Sequence, residues 1–455
     1  MSDSNIYLGM TKIAKALGMT LNPNNPKPLM GVMDYIAANI GKNTGAKGSL
    51  ASRSRVLSKC MFGRYKVLAA QATPQTTHMV MELATDFKDV QIGIPNLAKQ
   101  VVSGVKVSVG VVAEFGSNAA DGSWFLPAEI TGPWIDLTVG DLPAAGDGDD
   151  TLTVTWTNVT ALQSIKRTFA GRSRPLLAIR VEHPANVPIT CPYGDFYNWN
   201  TIDIYGQMRF IAGTQAVAAV TNKAAYTKNN MNATDSCIPL VRYTVKKPGL
   251  QVMLAGDSTV EGTGAQVRAF GSVVRACHRL STVDAPIEVW NGAINGATAD
   301  VFQSRFAKSV DDVLPDAVFM LGYSTNDDPG GVITADAINR AWGAWGKGMR
   351  AIRKLPKKPV LCLLATNPKN LPGTGGNAGG KTLGATDVLR RDFITEYTGV
   401  PDAIKVAGYD TSVTGSRTAE GQDTYKDGYS TDNVHLNDVG YDGQAPSVTT
   451  VLKTL

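Results

Sequence analysis

The spacing of apolar residues changes along these 455 residues, and the change near residue 246 constrains the fold most. From there, short apolar runs (LQVMLAG, IEVWNGA, DAVFMLGY, PVLCLLAT and AIKVAGY) alternate with segments of helical spacing, the clearest being AQVRAFGSVVRACHRL and ITADAINRAWGAWGKGMRAIRKL. A strand that is apolar on both faces must be covered on both, and a helix between successive strands brings the chain back to start the next one parallel. The pattern therefore predicts an α/β fold: an open, doubly wound parallel sheet of about five strands, with its site at the carboxyl ends of the strands.

Upstream the period is two. VKVSVGVVAEF, TLTVTWTNV, LLAIRVEH and NTIDIYGQMRF carry β-branched or aromatic residues at alternate positions, separated by Gly, Pro, Asn and Asp. They predict a β-sandwich or jelly-roll domain over 49–245. Before it, NIYLGMTKIAKALGM and PLMGVMDYIAANIG predict two short helices within 1–48, interrupted by LNPNNPKP. The α/β domain then occupies 246–455.

Composition narrows the function classes. Charged residues make up 18% of the chain and the net charge is only +5, with no long basic stripe, so no nucleic-acid partner is expected. The start, MSDSNIYLGMTKIAKALGM, has no apolar core followed by a small-residue cleavage site, and no run of about 18 apolar residues occurs. Neither a signal peptide nor a membrane span is expected. This leaves the localisation open, since a virion component acting at a cell surface would have the same sequence character. The five cysteines form no CxxC pair and read as buried thiols.

The chemistry is sought at the first α/β turn, LAGDSTVEGTG, where Ser258 follows the end of a predicted strand. A serine hydroxyl needs a base to become a nucleophile. Of four histidines, His78 and His183 lie in the β-rich part and His278 in the helix after Ser258; all three read as structural. His435 lies in STDNVHLNDVGY, three residues after Asp432. A carboxylate at that spacing can accept from Nδ1 and leave Nε2 free for Ser258. Taken alone, D-x-x-H reads more readily as an aspartate capping the final helix beside a solvated histidine.

These residues carry a resemblance to the SGNH (GDSL-type) hydrolases, covering 246–455. Gly256, Asp257 and Ser258 match the first block of that family, NGAINGAT the second, YSTND the third, and Asp432 and His435 the last. The resemblance implies a flavodoxin-like sheet, a Ser258–His435–Asp432 triad, and an oxyanion hole formed by the Ser258 amide, the Gly296 amide and the Asn326 side chain. The chain departs twice from the pattern. Ser324 stands where the third block has glycine, which would alter the backbone approach beside Asn326, and Leu436 replaces the proline that often follows the histidine. Acyl transfer by this route needs neither a metal nor an organic cofactor.

Three further segments have the composition of binding loops. GGNAGGKT at 375–382 fits the phosphate-loop spacing but does not directly follow a strand, so a glycine-rich loop is the better reading. GDGDD at 146–150 reads as a solvated turn rather than a calcium loop, and YGDFYNWN at 193–200 as core aromatics rather than a sugar-stacking platform. The expected function is a serine esterase that removes O-acetyl groups from a polysaccharide. Helices, a β-rich middle and no signal peptide also match a phage tail-type deacetylase acting on capsule or O-antigen, which would be a homo-trimer. The alternatives are a short-chain carboxylester or lipid esterase, and a glycan-binding structural protein whose β-rich domain is the working part.

Overall fold

The computed structural model describes residues 54–112, 130–147, 152–164, 174–193, 210–216, 218, 236–265, 269–321, 324–327, 335–364, 404–406, 414–417, 423–432 and 434–455. The helices expected within 1–48, the loop 375–382, most of GDGDD and all of YGDFYNWN except Tyr193 lie outside them. The Cα packing divides the chain into two compact units. One comprises Arg53–Gln251 with His278–Trp290; the other includes Val252–Cys277 and Asn291–Leu455. The division thus departs from a single cut at 245/246, because the end of the Ser272 helix and the strand that follows it pack with the β-rich unit.

The β-rich unit contains β1 (Ser54–Lys59), β2 (Tyr65–Leu68), β3 (Gln75–Glu82), β4 (Phe87–Asn96), β5 (Lys106–Val112), β6 (Ile130–Leu137), β7 (Thr153–Trp156), β8 (Thr160–Ala161), β9 (Leu176–His183), β10 (Ile189–Pro192) and β11 (Phe210–Gln215). One antiparallel sheet has the order β11-β3-β9-β5-β6, and β2 pairs with β10. LLAIRVEH, read from its alternation as a strand, forms β9, and every residue of it is buried: Leu177, Ile179, Val181 and His183 on one face, Leu176, Ala178, Arg180 and Glu182 on the other. Polar side chains enter because they find partners there. Glu182 meets Lys106 at 2.8 Å, and the Arg180 guanidinium lies 4.6 Å from the Trp134 ring centroid.

A buried charge network ties the unit together. Arg174 donates to Glu82 and to the carbonyls of His278 (2.8 Å) and Ser281 (2.7 Å), while Lys59 meets Glu288 at 3.2 Å and Tyr243 donates to Glu288 at 2.5 Å. Cutting one member of such a network leaves a buried charge uncompensated, which costs roughly 3–5 kcal/mol. The role of His278 is structural: its Nε2 faces the Arg174 guanidinium, which can only donate, so the ring accepts and stays neutral.

The second unit is built on a mostly parallel sheet. Of β12 (Leu240–Ala255), Leu240–Val245 belongs to the β-rich unit and pairs antiparallel with β4, and Val252–Ala255 belongs to the second unit and pairs parallel with β14 (Ala317–Leu321). Next come β15 (Val360–Leu364) and β16 (Ile404–Val406), also parallel; β13 (Ile287–Asn291), which belongs to the β-rich unit but for Asn291, pairs with β12. The hairpin strands β17 (Thr414–Arg417) and β18 (Asp423–Tyr425) complete the described strands. Its helices are α1 (Ser258–Glu261), α2 (Ser272–Leu280), α3 (Ala299–Val313), α4 (Ala335–Lys354) and α5 (Asp438–Leu452). β14 is buried throughout, as a strand covered on both faces must be, and α3 turns Phe302, Phe306, Val310 and Val313 inward at helical spacing. All five cysteines are free and buried.

Candidate active site

Ser258 opens α1 directly beyond the end of β12. Gly256 permits the sharp turn, because a Cβ there would lie 2.5 Å from Val260 Cγ2. Asp257 caps the helix: its Oδ1 accepts from the Thr259 amide at 2.9 Å and the Thr259 hydroxyl at 2.7 Å. These two bonds fix the turn on which Ser258 sits.

His435 and Asp432 arrive from the loop before α5. His435 Nε2 lies 2.8 Å from Ser258 Oγ, and His435 Nδ1 lies 2.6 Å from Asp432 Oδ2. The other carboxylate oxygen, Oδ1, accepts from the backbone amides of Val434 (2.9 Å) and His435 (2.7 Å). Partial burial works against the charge of Asp432. Even so, the bonds from the His435 ring and the two amides hold this carboxyl well below the usual carboxylate range. The carboxylate is thus fixed as an acceptor, and it selects the His435 tautomer that carries its proton on Nδ1 and presents a free lone pair to Ser258.

The helix-capping alternative for D-x-x-H fails on geometry, since Asn437 caps α5 through Gly440 (3.0 Å). The loop is held at several points. Ser430 donates to the His435 carbonyl at 2.6 Å, Tyr425 to the Val434 carbonyl at 2.9 Å, and Tyr441 to the Thr263 carbonyl at 2.7 Å. Burial pushes the Tyr441 phenol well up, so it remains a donor. Leu436, in the place of the usual proline, is fully buried in a cluster with Tyr425 and Tyr441. Burying a leucine contributes roughly 2 kcal/mol, so packing anchors the loop where a fixed proline φ otherwise would. Arg275 joins the start of α5 to α2, meeting Asp438 and, at 3.1 Å, Asp442.

Gly264 is the tightest constraint on the histidine. It has φ +94°, and a Cβ there would lie 2.5 Å from the Leu436 carbonyl oxygen and 2.9 Å from His435 Cβ. Gly264→Ala is therefore expected to displace His435 from Ser258. A crystal structure of the variant beside a melting curve checks this; an unmoved His435 in the folded variant would contradict it.

On the other side of Ser258, Asn326 lies in the turn after β14, and Gly296 is exposed in the turn after β13. The amide N–H groups of Ser258 and Gly296 donate to no described residue. Asn326 Nδ2 donates to the Ala297 carbonyl at 3.0 Å and lies 3.2 Å from Ser324 Oγ. Asp327 accepts from the Ala299 amide at 3.0 Å and so caps α3, whose N-cap residue Thr298 makes no such bond. All five residues expected at the site (Ser258, Gly296, Asn326, Asp432 and His435) belong to one unit. The parts played by Ser430 and Tyr425 had no signal in the sequence, whereas Ser324 stood out as a departure from the family's glycine beside Asn326. That of Asp257 had a signal too, as an aspartate immediately before a helix.

No family model matches the sequence, and no curated protein sequence matches it. Among solved structures, the chain is similar to a GDSL-like lipase of Bacteroides thetaiotaomicron (TM-score 0.33, 17% identity, 45% of this chain and 87% of that one). It is similar also to a lipase/acylhydrolase of Enterococcus faecalis (0.31, 17%, 45% and 95%) and to a carbohydrate esterase family 3 protein of Talaromyces cellulolyticus (0.32, 17%, 45% and 96%). Likeness of this size carries no functional weight of its own, and the chemistry has to come from the side chains.

Proposed function

We propose that the chain is a serine esterase of the SGNH type, working by acyl transfer. The observation that carries this reading is the unbroken row Asp432–His435–Ser258, with bonds of 2.6 and 2.8 Å. Ser258 Oγ attacks the ester carbonyl as His435 Nε2 takes its proton. The tetrahedral oxyanion meets the Ser258 and Gly296 amides and the Asn326 carboxamide, each worth roughly 3–4 kcal/mol when preorganised. The carbon–oxygen bond to the alcohol then breaks as His435 returns the proton to it. Water, activated by the same imidazole, cleaves the acyl-serine and restores the hydroxyl.

The substrate favoured is an O-acetylated polysaccharide. No long apolar segment that could cover a lipid chain is evident in the sequence, and a β-rich module in the same chain as the catalytic unit suits a glycan surface. On this reading the β-rich unit is a sandwich-type module that engages glycan or other subunits, as in a trimeric phage tail-type deacetylase. The test is hydrolysis of p-nitrophenyl acetate, butyrate and octanoate, followed by acetate release from acetylated polysaccharides. Preference for acetate, with release from a polysaccharide, is the expected result. Preference for octanoate would move the substrate to lipid esters.

A further inference from the structure

Resting on the esterase reading, we infer that Ser324 is a positioning residue that orients the Asn326 carboxamide toward the oxyanion and links it to the turn carrying Ser258. The Ser324 side chain is completely buried. Its hydroxyl lies 2.7 Å from Asp257 Oδ2 and 2.9 Å from the Ala297 carbonyl oxygen, and it accepts from the Asn326 backbone amide at 3.1 Å. One hydroxyl has one proton, and the carboxylate is the stronger acceptor, so Ser324 donates to Asp257. A hydroxyl that donates to a carboxylate is itself a better acceptor, which strengthens its hold on Asn326.

The geometry also leaves a donor free. Asn326 Nδ2 has two acceptors, the Ala297 oxygen at 3.0 Å and Ser324 Oγ at 3.2 Å, and these are 2.9 Å from each other. By the cosine rule, sides of 3.0, 3.2 and 2.9 Å place the two oxygens about 56° apart as seen from Nδ2. The two N–H bonds of a carboxamide diverge by roughly 120°, so one N–H aimed between the oxygens serves both and the second remains for the oxyanion. Asp257 thereby fixes both halves of the site: Oδ1 holds the Ser258 turn and Oδ2, through Ser324, holds Asn326. A glycine at 324 offers no hydroxyl for this link.

The experiment is a double-mutant cycle on p-nitrophenyl acetate with Ser324→Ala, Asn326→Ala and the double variant, together with the crystal structure of Ser324→Ala. Ser324→Ala is expected to lower kcat about tenfold with KM within about twofold, because the bond it supports forms in the transition state. Asn326→Ala is expected to lower kcat at least about a hundredfold, and the double variant to be no slower than Asn326→Ala alone. In the crystal the Asn326 carboxamide should be rotated. Unchanged kcat in Ser324→Ala, a full multiplicative loss in the double variant, or an unmoved carboxamide would each overturn the role. Should the alanine variant not fold, Ser324→Gly takes its place. Wild-type protein without Ser258-dependent turnover would instead defeat the esterase reading, and the position of the carboxamide in the variant crystal would still decide the positioning claim.

Discussion

Replacing Ser258 with alanine is expected to lower kcat for ester hydrolysis at least about a thousandfold while the protein stays folded. The hydroxyl is the only group at that position able to form the acyl bond, and without it turnover falls to what the oxyanion donors and binding provide. The fold should tolerate the change. Ser258 begins a helix capped by Asp257, alanine suits a helical position, and the lost bond to His435 is worth about 1 kcal/mol. Steady-state kinetics beside thermal unfolding of both proteins check this. Turnover near that of the wild type would remove Ser258 from the mechanism, whereas a collapse in melting temperature would mean that the loss is structural.

Acid is expected to unfold the β-rich unit through three histidines that catalysis does not use. Burial lowers the pKa of His183 to about 4; burial, with Arg174 close by, lowers that of His278 to about 3. Burial and the Arg180 charge hold His78 well below its ordinary value. An unfolded chain binds protons at these rings below about pH 6.5, while the folded unit refuses them until far lower pH. The stability present above pH 6.5 is therefore lost as the pH falls toward 4. Three protons correspond to a slope of up to about 4 kcal/mol per pH unit, so by pH 5 several of the roughly 5–15 kcal/mol of a domain are gone. Glu82, whose carboxyl is also depressed in the fold, adds a loss in the same direction below its ordinary range.

Urea unfolding of wild type and His183→Gln at pH 7, 6 and 5 tests this. The slope of stability against pH should fall by about 1.4 kcal/mol per unit in the variant, one proton having been removed from the unfolded state. Identical slopes would show that His183 titrates in the folded protein much as it does in the unfolded chain.

The strands of the second unit were legible because each is a short apolar run bounded by turn residues. LQVMLAG, DAVFMLGY and PVLCLLAT became Val252–Ala255, Ala317–Leu321 and Val360–Leu364 in mutually parallel register. Local chemistry also marked the D-x-x-H spacing, since a carboxylate three residues before a histidine can reach its Nδ1 without help from elsewhere. Alternation marked β9 as a strand, but it records only which side chains share a face. Whether that face meets water depends on what is packed over it.

What the sequence determined by itself is therefore what lies within a few residues of chain: the strand and helix periods, the turn that exposes Ser258, and a spacing that lets Asp432 reach His435. Only the tertiary structure decided what is joined across the chain. It carried His435 over 177 positions to 2.8 Å from Ser258 Oγ, drew the stretch His278–Trp290 into the β-rich unit, and gave the Ser324 hydroxyl its place between Asp257 and Asn326. The physical reason is one of range: backbone propensity and side-chain pattern act over one or two turns of chain. A hydrogen bond or a packed contact forms wherever burial brings two groups together, and that depends on every element between them.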